Sequence, residues 1–297
     1  MQTDKQWLSY SFDGVKYGKK LSREGNFELH IDKSYSPKVM NYYEALNYNA
    51  MVMRDNFQEP FDVLLSGGID SEVIVRTFHG LGIKQNVVTF RLENDYNIRD
   101  VEAAKNICKE LGINLTIIDW NLQNWIENHA EDIYKKSYCP LLEKMIRFDW
   151  LNYLDNIPIF GEGEPYWRKT DQGWRFLWGE DDFIAGINGR NIGRTVIGEW
   201  YIYTPEIAMS FCKLPLIQRL INEQLPGKIS SWSSRSKIHK LIWPTVDYKP
   251  KLVGYEGSSG EPFSRPQFMT DFYEQVVKGT NCRYFCYTEK DLDNLFL

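Results

Sequence analysis

The stretch FDVLLSGGIDS, at residues 61–71, decides the fold of this 297-residue chain. Its apolar run gives way to a Ser-Gly-Gly turn at residues 66–68, and a helical pattern begins near Ser71. This order predicts a strand, a glycine turn and a helix N-terminus, where unpaired backbone N–H groups and the helix dipole favour a phosphate group. Asp70 would repel a bare phosphate, so we expect it to hold Mg²⁺ against the phosphates.

Strand and helix patterns alternate after this turn. Helices are predicted at residues 71–79 and 99–111, and strands at residues 86–92 and 114–118. The alternation predicts an α/β fold with a doubly wound parallel sheet, in which ligands bind beyond the carboxyl ends of the strands. A further strand at residues 157–160 leads into Gly-Glu-Gly-Glu at residues 161–164, and we expect this second loop to open onto the same edge of the sheet.

Three segments are expected along the chain. They are a small N-terminal β element at residues 1–35, the main domain at residues 36–256 and a C-terminal tail at residues 257–297. Ser36 followed by Pro37 predicts a helix that begins there. The C-terminal half is predicted to be mainly helical, with helices near residues 122–136, 140–155, 205–224 and 231–242 and a hairpin at residues 166–178.

The composition of the chain indicates which kinds of partner and which cellular compartment to expect. The net charge is −5, and no run of Lys and Arg stands out, so we do not expect a nucleic-acid partner. Five scattered cysteines do not form a disulfide framework, and we see no signal peptide, which favours a cytoplasmic protein. We expect no membrane partner, since no apolar stretch approaches the length of a span.

SGGIDS, at residues 66–71, resembles the pyrophosphate-binding loop of the ATP pyrophosphatase, or PP-loop, superfamily. Members of that superfamily cleave ATP between its α and β phosphates. IFGEG, at residues 159–163, is similar to the second motif in the synthetase domain of asparagine synthetase and β-lactam synthetase. The likeness covers roughly residues 36–256, and it implies a sheet of the adenine-nucleotide α-hydrolase type.

The resemblance implies an ATP and Mg²⁺ site at the carboxyl ends of the strands. The phosphates that leave as pyrophosphate would be bound by Ser66, Gly67, Gly68 and Ser71. The rest of the nucleotide would be bordered by Leu64, Val88, Phe90 and Gly161. Asp70 would bind Mg²⁺, and Glu164 would replace an aspartate that the family places one position later.

The resemblance also implies a carbon–nitrogen ligase that forms AMP. A small-molecule carboxylate would attack the α-phosphate, and ammonia or an amine would then attack the acyl-adenylate. Glu162 would accept the proton of the amine, and either Lys237 or Lys240 would stabilise charge on the α-phosphate. Gln2 stands where the family's glutaminase domain has a cysteine, so we expect the nitrogen to come from ammonia, a separate glutaminase or an amine substrate.

Other functions remain open for this loop type. A tRNA- or nucleobase-modifying PP-loop enzyme commonly needs reactive cysteines, and the close pair Cys282 and Cys286 lies in an aromatic tail that favours buried structural thiols. Ammonia-dependent NAD synthetase fits the length, but its later motifs are not seen. A non-catalytic nucleotide-binding module is favoured by Pro165, which replaces the family aspartate, and is disfavoured by the retention of Ser66, Asp70, Ser71 and Glu162.

Overall fold

The structure is a computed structural model that describes residues 7–12, 27–32, 35–58, 60–136, 142–164, 166–170, 173–222, 238–246 and 284–287. The strands are β1 (Leu8–Phe12), β2 (Phe27–Ile31), β3 (Phe61–Leu64), β4 (Gln85–Leu92), β5 (Leu115–Trp120), β6 (Ile157–Ile159), β7 (Tyr166–Thr170), β8 (Gly173–Gly179) and β9 (Tyr284–Tyr287). The helices are α1 (Tyr42–Asn56), α2 (Ile69–Gly80), α3 (Ile98–Leu111), α4 (Leu122–Asn128), α5 (Ala130–Lys136), α6 (Leu142–Trp150), α7 (Ile184–Asn191), α8 (Pro205–Cys212) and α9 (Pro215–Asn222). Short 3₁₀ turns lie at Glu93–Asp95, Leu151–Tyr153, Glu180–Phe183 and Trp200–Ile202.

The central sheet of the described chain has four parallel strands in the order β5-β4-β3-β6. Leu64 lies opposite Val88 of β4, and Val63 lies opposite Ile159 of β6. The chain moves outward from β3 to β5 and then returns to the other side of β3. The order of strands therefore reverses between β3 and β6, which is where open α/β sheets bind their ligands.

Both faces of the sheet are covered, as the prediction of a doubly wound fold requires. Phe61, Val63 and Leu65 pack in a hydrophobic cluster with residues of α1, α2 and α3. Leu64, on the other face, belongs to a second cluster that includes residues of α4 and α6. All of β3 is buried, the pattern expected of a central parallel strand. The predicted α/β class is confirmed.

Helix α1 begins five residues later than Ser36 and Pro37 led us to expect. Its N-cap is Asn41, whose side chain accepts a hydrogen bond from the backbone N–H of Glu44 at 2.9 Å. The carboxylate of Glu44 accepts in return from the N–H of Asn41, also at 2.9 Å. This reciprocal capping box satisfies two N–H groups at once and outweighs the proline signal upstream.

Other predicted helices are shorter than expected. The helix at residues 122–136 is divided into α4 and α5, and the helix at residues 140–155 ends as α6 at Trp150. The helix at residues 205–224 breaks before Pro215, which has no N–H to continue the hydrogen-bond ladder of α8. Of the helix predicted at residues 231–242, the described residues 238–242 are helical.

Two small antiparallel sheets flank the central one. Strands β1 and β2 form the predicted N-terminal β element. Next to it the buried Trp7 donates a hydrogen bond from Nε1 to the carbonyl of Ile202 at 2.9 Å. Strands β7 and β8 form the predicted hairpin, and β9, from the segment predicted as a tail, pairs with β8. No helix in the described part of the chain is long and apolar enough to cross a membrane.

Candidate functional site

The phosphate loop, residues 66–71, is organised by its own polar atoms. The backbone N–H of Ser66 donates to Ser71 Oγ at 3.1 Å, and Ser71 Oγ donates to the carbonyl of Gly68 at 3.1 Å. The two serine hydroxyl oxygens lie 3.2 Å apart. Ser71 is buried and Ser66 is exposed, so Ser71 shapes the turn while Ser66 is accessible to a ligand.

The backbone of the phosphate loop needs glycine at its turn. Gly67 has a φ of +68°, and a Cβ there would lie 2.5 Å from the carbonyl oxygen of Asp100, at the start of α3. Gly68 is the N-cap of α2 and supplies no side-chain hydrogen bond to the first turn. The N–H groups of that turn have no carbonyl one turn earlier in the helix, so the geometry fits the phosphates of a nucleotide.

The second loop, residues 161–164, lies at the same edge of the sheet as the phosphate loop, as predicted, and is close to it. A Cβ on Gly161 would lie 3.3 Å from the backbone nitrogen of Ser71. The second loop is fixed from outside, because the N–H of Glu162 donates to the carbonyl of Gly198 at 3.2 Å and the N–H of Tyr201 donates to the carbonyl of Glu162 at 3.2 Å. The two loops therefore lie side by side at the carboxyl ends of β3 and β6, where the order of strands reverses.

Tyr201 joins the two loops through a second hydrogen bond. Its hydroxyl donates to the backbone carbonyl of Asp70 at 2.9 Å. Burial raises the pKa of Tyr201 well above its ordinary value, and the nearby charge of Asp70 raises it further. The hydroxyl therefore stays protonated and remains a donor. Sequence reasoning missed this residue, since nothing in its local pattern distinguishes it from a core tyrosine.

The side chain of Glu162 lies in a buried ion cluster. Its Oε1 pairs with both Lys144 and Arg147 of α6. The side chains of Glu162 and Lys144 are 7% and 8% exposed, so this pair is shielded from water. Oε2 of Glu162 is buried and makes no hydrogen bond within the described chain. Sequence reasoning also missed both cations, although their spacing of three residues on one helix places them on the same side.

The residues predicted to border the nucleotide lie beside the phosphate loop, in the second hydrophobic cluster. Leu64, Val88 and Phe90 are all buried there. Strand β4 continues to Leu92, so Val88 and Phe90 lie inside the strand and not at its end. Phe90 stacks on Trp150 with ring centroids 4.1 Å apart. The side chains of Leu64, Val88 and Phe90 thus belong to one apolar cluster beside the phosphate loop.

The structure describes one of the two lysines that were predicted to stabilise charge on the α-phosphate. Lys237 is outside the described residues, and Lys240 is exposed. The residue before Lys240 is the buried His239, whose Nε2 lies 3.3 Å from the hydroxyl of Tyr42. The helical segment 238–242 therefore packs against the start of α1, where Tyr42 lies.

Asp70 and Glu164 supply carboxylates of the kind that bind Mg²⁺. Asp70 lies in the first turn of α2, and Glu164 is half-buried at the end of the second loop. No group of three or more His, Cys, Asp and Glu side chains that could hold a metal ion occurs in the described residues. Mg²⁺ commonly uses one or two carboxylates together with substrate phosphates and water, and this donor set fits that mode of binding.

The cysteines with described side chains are buried. These are Cys108 and Cys212, which form no disulfide within the described residues. Burial raises the pKa of Cys108 to about 11, which leaves little thiolate at neutral pH. Cys282 lies outside the described residues, and Cys286 lies in β9. The described thiols therefore give no support to thiol chemistry at the site.

A comparison with known protein families matches the part of the chain that contains the phosphate loop. Residues 62–136 match the model of the family described as queuosine biosynthesis protein QueC. No curated protein matches. The chain is similar in structure to an NH3-dependent NAD synthetase from Campylobacter jejuni, with 16% identity, a TM-score of 0.35 and coverage of 76% of this chain and 100% of that one.

Two further solved structures are similar to the chain. One is an NMN synthetase from Francisella tularensis, with 14% identity, a TM-score of 0.31 and coverage of 76% of this chain and 98% of that one. The other is a glutamine-dependent NAD+ synthetase from Acinetobacter baumannii, with 15% identity and a TM-score of 0.33. The match covers 92% of this chain and 48% of that one. The SGGIDS loop, its position in a parallel sheet and the match over residues 62–136 assign this part of the chain to the PP-loop ATP pyrophosphatase superfamily.

Proposed function

We propose that the protein activates a carboxylate with ATP, releases pyrophosphate and transfers the acyl group to ammonia or an amine, forming an amide. The observation that carries this proposal is the contact between the two loops, where Gly161 packs against the backbone of Ser71. A helix N-terminus suited to phosphates and a buried carboxylate, Glu162, thereby lie along one edge of the sheet. The two parts of the proposed chemistry need these two groups side by side.

The first half-reaction forms an acyl-adenylate. An oxygen of the substrate carboxylate attacks the α-phosphorus, and the bond to the β-phosphate oxygen breaks, so pyrophosphate leaves. Negative charge accumulates in this step, and oriented N–H donors and a cation stabilise such charge. The first turn of α2 and the hydroxyl of Ser66 supply donors for the leaving phosphates, and Lys237 or Lys240 supplies the cation. Mg²⁺, held by Asp70 and Glu164, would neutralise phosphate charge when bound.

The second half-reaction forms the amide. The nitrogen of ammonia or of an amine attacks the acyl carbon, the bond to AMP breaks, and the nitrogen loses a proton. Glu162 Oε2 is the proposed proton acceptor, because Oε1 is occupied by Lys144 and Arg147 while Oε2 makes no hydrogen bond within the described chain. The ion cluster thus orients the carboxylate and leaves one oxygen for the proton.

The position at which ATP is cleaved tests this function. The purified protein would be incubated with ATP, Mg²⁺, ammonia and a panel of carboxylic acids, and the nucleotide products separated by chromatography. We expect AMP and pyrophosphate, with an amide formed in equal amount. ADP and phosphate as the main products would contradict the proposal, and so would the absence of any acid-dependent pyrophosphate.

A second candidate is favoured by the match to the QueC family model, which spans the phosphate loop. A PP-loop enzyme that modifies a nucleobase would use the same ATP chemistry on a different acceptor. The same chromatographic assay, with nucleobases or tRNA in place of the simple acids, separates the two candidates. AMP formation that depends on a nucleobase and on none of the simple acids would favour the second.

A further inference from the structure

The 3₁₀ turn Trp200–Ile202, which we call the connecting turn, lies against both loops of the site. Tyr201 donates from its hydroxyl to the carbonyl of Asp70 and from its backbone N–H to the carbonyl of Glu162. The last residue of the turn, an isoleucine, packs so closely against Gly163 that a Cβ on this glycine would overlap it. All three residues of the turn are buried, so a shift of the turn would be transmitted to both loops.

Two residues from the N-terminal part of the chain hold the other side of the connecting turn. Trp7 donates from Nε1 to the carbonyl of Ile202 at 2.9 Å, and Asn49 of α1 donates from Nδ2 to the carbonyl of Trp200 at 3.0 Å. Trp7 is 1% exposed and Asn49 is 0% exposed. Because both bonds are shielded from water, a carbonyl that lost its donor could not bond to water in its place.

The amide of Asn49 is a costly group to bury at this position of α1. Asparagine is rarely fully buried, and an apolar residue of similar size would pack there without the loss of hydration. Oδ1 of Asn49 makes no hydrogen bond within the described chain, so the fold compensates the amide only in part. Its one bond, from Nδ2, goes to the connecting turn. This arrangement favours a role in placing the turn over a role in packing alone.

We infer that Trp7 and Asn49 are positioning residues of the ATP site, which fix the connecting turn and thereby the spacing of the phosphate loop and the second loop. This inference rests on the ATP site of the proposed function, but not on the formation of an amide. Both residues precede the central sheet in the chain and lie in neither loop. Loss of either donor should therefore weaken nucleotide binding in a chain that still folds.

Calorimetric titration of the intact chain with α,β-methylene ATP in the presence of Mg²⁺ tests the inference without turnover, because the α–β bridge of this analogue is not cleaved. Trp7→Phe removes the indole N–H and keeps a ring, and Asn49→Leu removes the amide at a similar side-chain volume. We expect each variant to bind the analogue about three- to tenfold more weakly, the range for loss of one neutral hydrogen bond. All titrations should be run well below the lowest melting temperature of the set.

A combination with Tyr201→Phe distinguishes positioning from a general loss of stability. That substitution removes the hydroxyl through which the connecting turn holds the carbonyl of Asp70. If Asn49 acts through the turn, adding Asn49→Leu to Tyr201→Phe should weaken binding by a further factor of about two at most. Two independent effects on binding would multiply instead, and losses that multiply would overturn the inference.

Leu8→Ala and Met53→Ala are the matched controls. Each removes most of a buried side chain near one of the two donors, since Leu8 follows Trp7 and Met53 lies one turn after Asn49 in α1. Neither side chain has an N–H to donate, so both variants should lose stability and still bind the analogue as the original chain does.

Three results would overturn the inference. They are unchanged binding in Trp7→Phe and Asn49→Leu, equal losses of binding in the two control variants, and no binding of the analogue to the original chain. If the variants behave as expected and ATP yields no AMP and pyrophosphate with any acid, the positioning role stands and the proposed function fails.

Discussion

The two loops of the site are held in opposite ways. The turn of the phosphate loop is shaped by bonds among its own residues, with Ser71 Oγ accepting from Ser66 and donating to Gly68 within six residues of sequence, and Tyr201 adds a long-range bond to the carbonyl of Asp70. The second loop takes its hydrogen bonds from residues far along the chain, Gly198 and Tyr201, and its carboxylate pairs with α6. One loop is a local structure, and the other is a product of tertiary packing.

The difference indicates that the two loops have different roles in the proposed reaction. A helix N-terminus whose turn is shaped by local bonds depends less on distant segments, which suits the binding of a group that stays the same, the phosphates of ATP. A loop that depends on distant segments changes whenever those segments change. We therefore expect the phosphate loop to govern ATP chemistry, and the second loop with its partners to govern the acyl and amine substrates.

The largest expected effect comes from Asp70→Asn in the phosphate loop. If the carboxylate of Asp70 holds Mg²⁺ against the phosphates, the amide of asparagine would bind the ion poorly, and turnover should fall by about a thousandfold. Pyrophosphate exchange into ATP, measured over a range of Mg²⁺ concentrations, checks the change. Circular dichroism should show an unaltered fold. An exchange rate and Mg²⁺ dependence like those of the original chain would remove Asp70 from the metal site.

Glu162→Gln should distinguish the functions of the two loops. We expect amide formation to fall by at least about a hundredfold, the usual scale of a general-base contribution, while pyrophosphate exchange without amine largely persists. The variant also removes the anion of a buried ion pair, which costs about 3–5 kcal/mol of stability. Both assays should therefore be run at a temperature well below the melting temperature of the variant.

Lys144→Met is the control for that structural cost. It disturbs the same buried pair but keeps the carboxylate of Glu162. Because Arg147 still pairs with Oε1 of Glu162 in this variant, the ratio of amide formation to exchange should stay close to that of the original chain. An equal loss of both activities in Glu162→Gln would place Glu162 in adenylation or in the structure of the second loop.

The same contrast explains what could be predicted from the sequence. SGGIDS carries its geometry in six consecutive residues, so the strand, turn and helix around it could be predicted and were found, along with the parallel order of strands. The partners of Glu162 could not, because the ion cluster depends on how α6 packs below the second loop. Tyr201 and its bond to Asp70 arise from a contact between residues 131 positions apart. No local pattern encodes such a distance.

Tyr201→Phe tests whether the bond between the loops matters for both half-reactions. Removing the hydroxyl takes away the donor to the Asp70 carbonyl and costs about 1 kcal/mol of stability. Because the lost bond positions Asp70, the proposed Mg²⁺ ligand, we expect the Mg²⁺ concentration for half-maximal exchange to rise by several-fold, up to about tenfold. Tyr42→Phe is the matched control, because the hydroxyl of that buried tyrosine lies 3.3 Å from Nε2 of His239. Equal Mg²⁺ dependence in the two variants would make Tyr201 a structural residue only.

Gly161→Ala should have the smallest effect, and it acts where the two loops touch. The new methyl group would lie 3.3 Å from the nitrogen of Ser71 and 3.4 Å from the carbonyl carbon of Asp70, so the loops must move apart by a few tenths of an ångström. Crowding of this size costs about 1 kcal/mol, which corresponds to a fall in pyrophosphate exchange of about fivefold if the strain is carried into the transition state. Gly80→Ala, at the far end of α2, places its methyl group in open space and should leave exchange unchanged. If the second loop governs only the amine step, Gly161→Ala will lower amide formation and spare exchange. If the two loops work as one edge, as their contact leads us to expect, both activities will fall together.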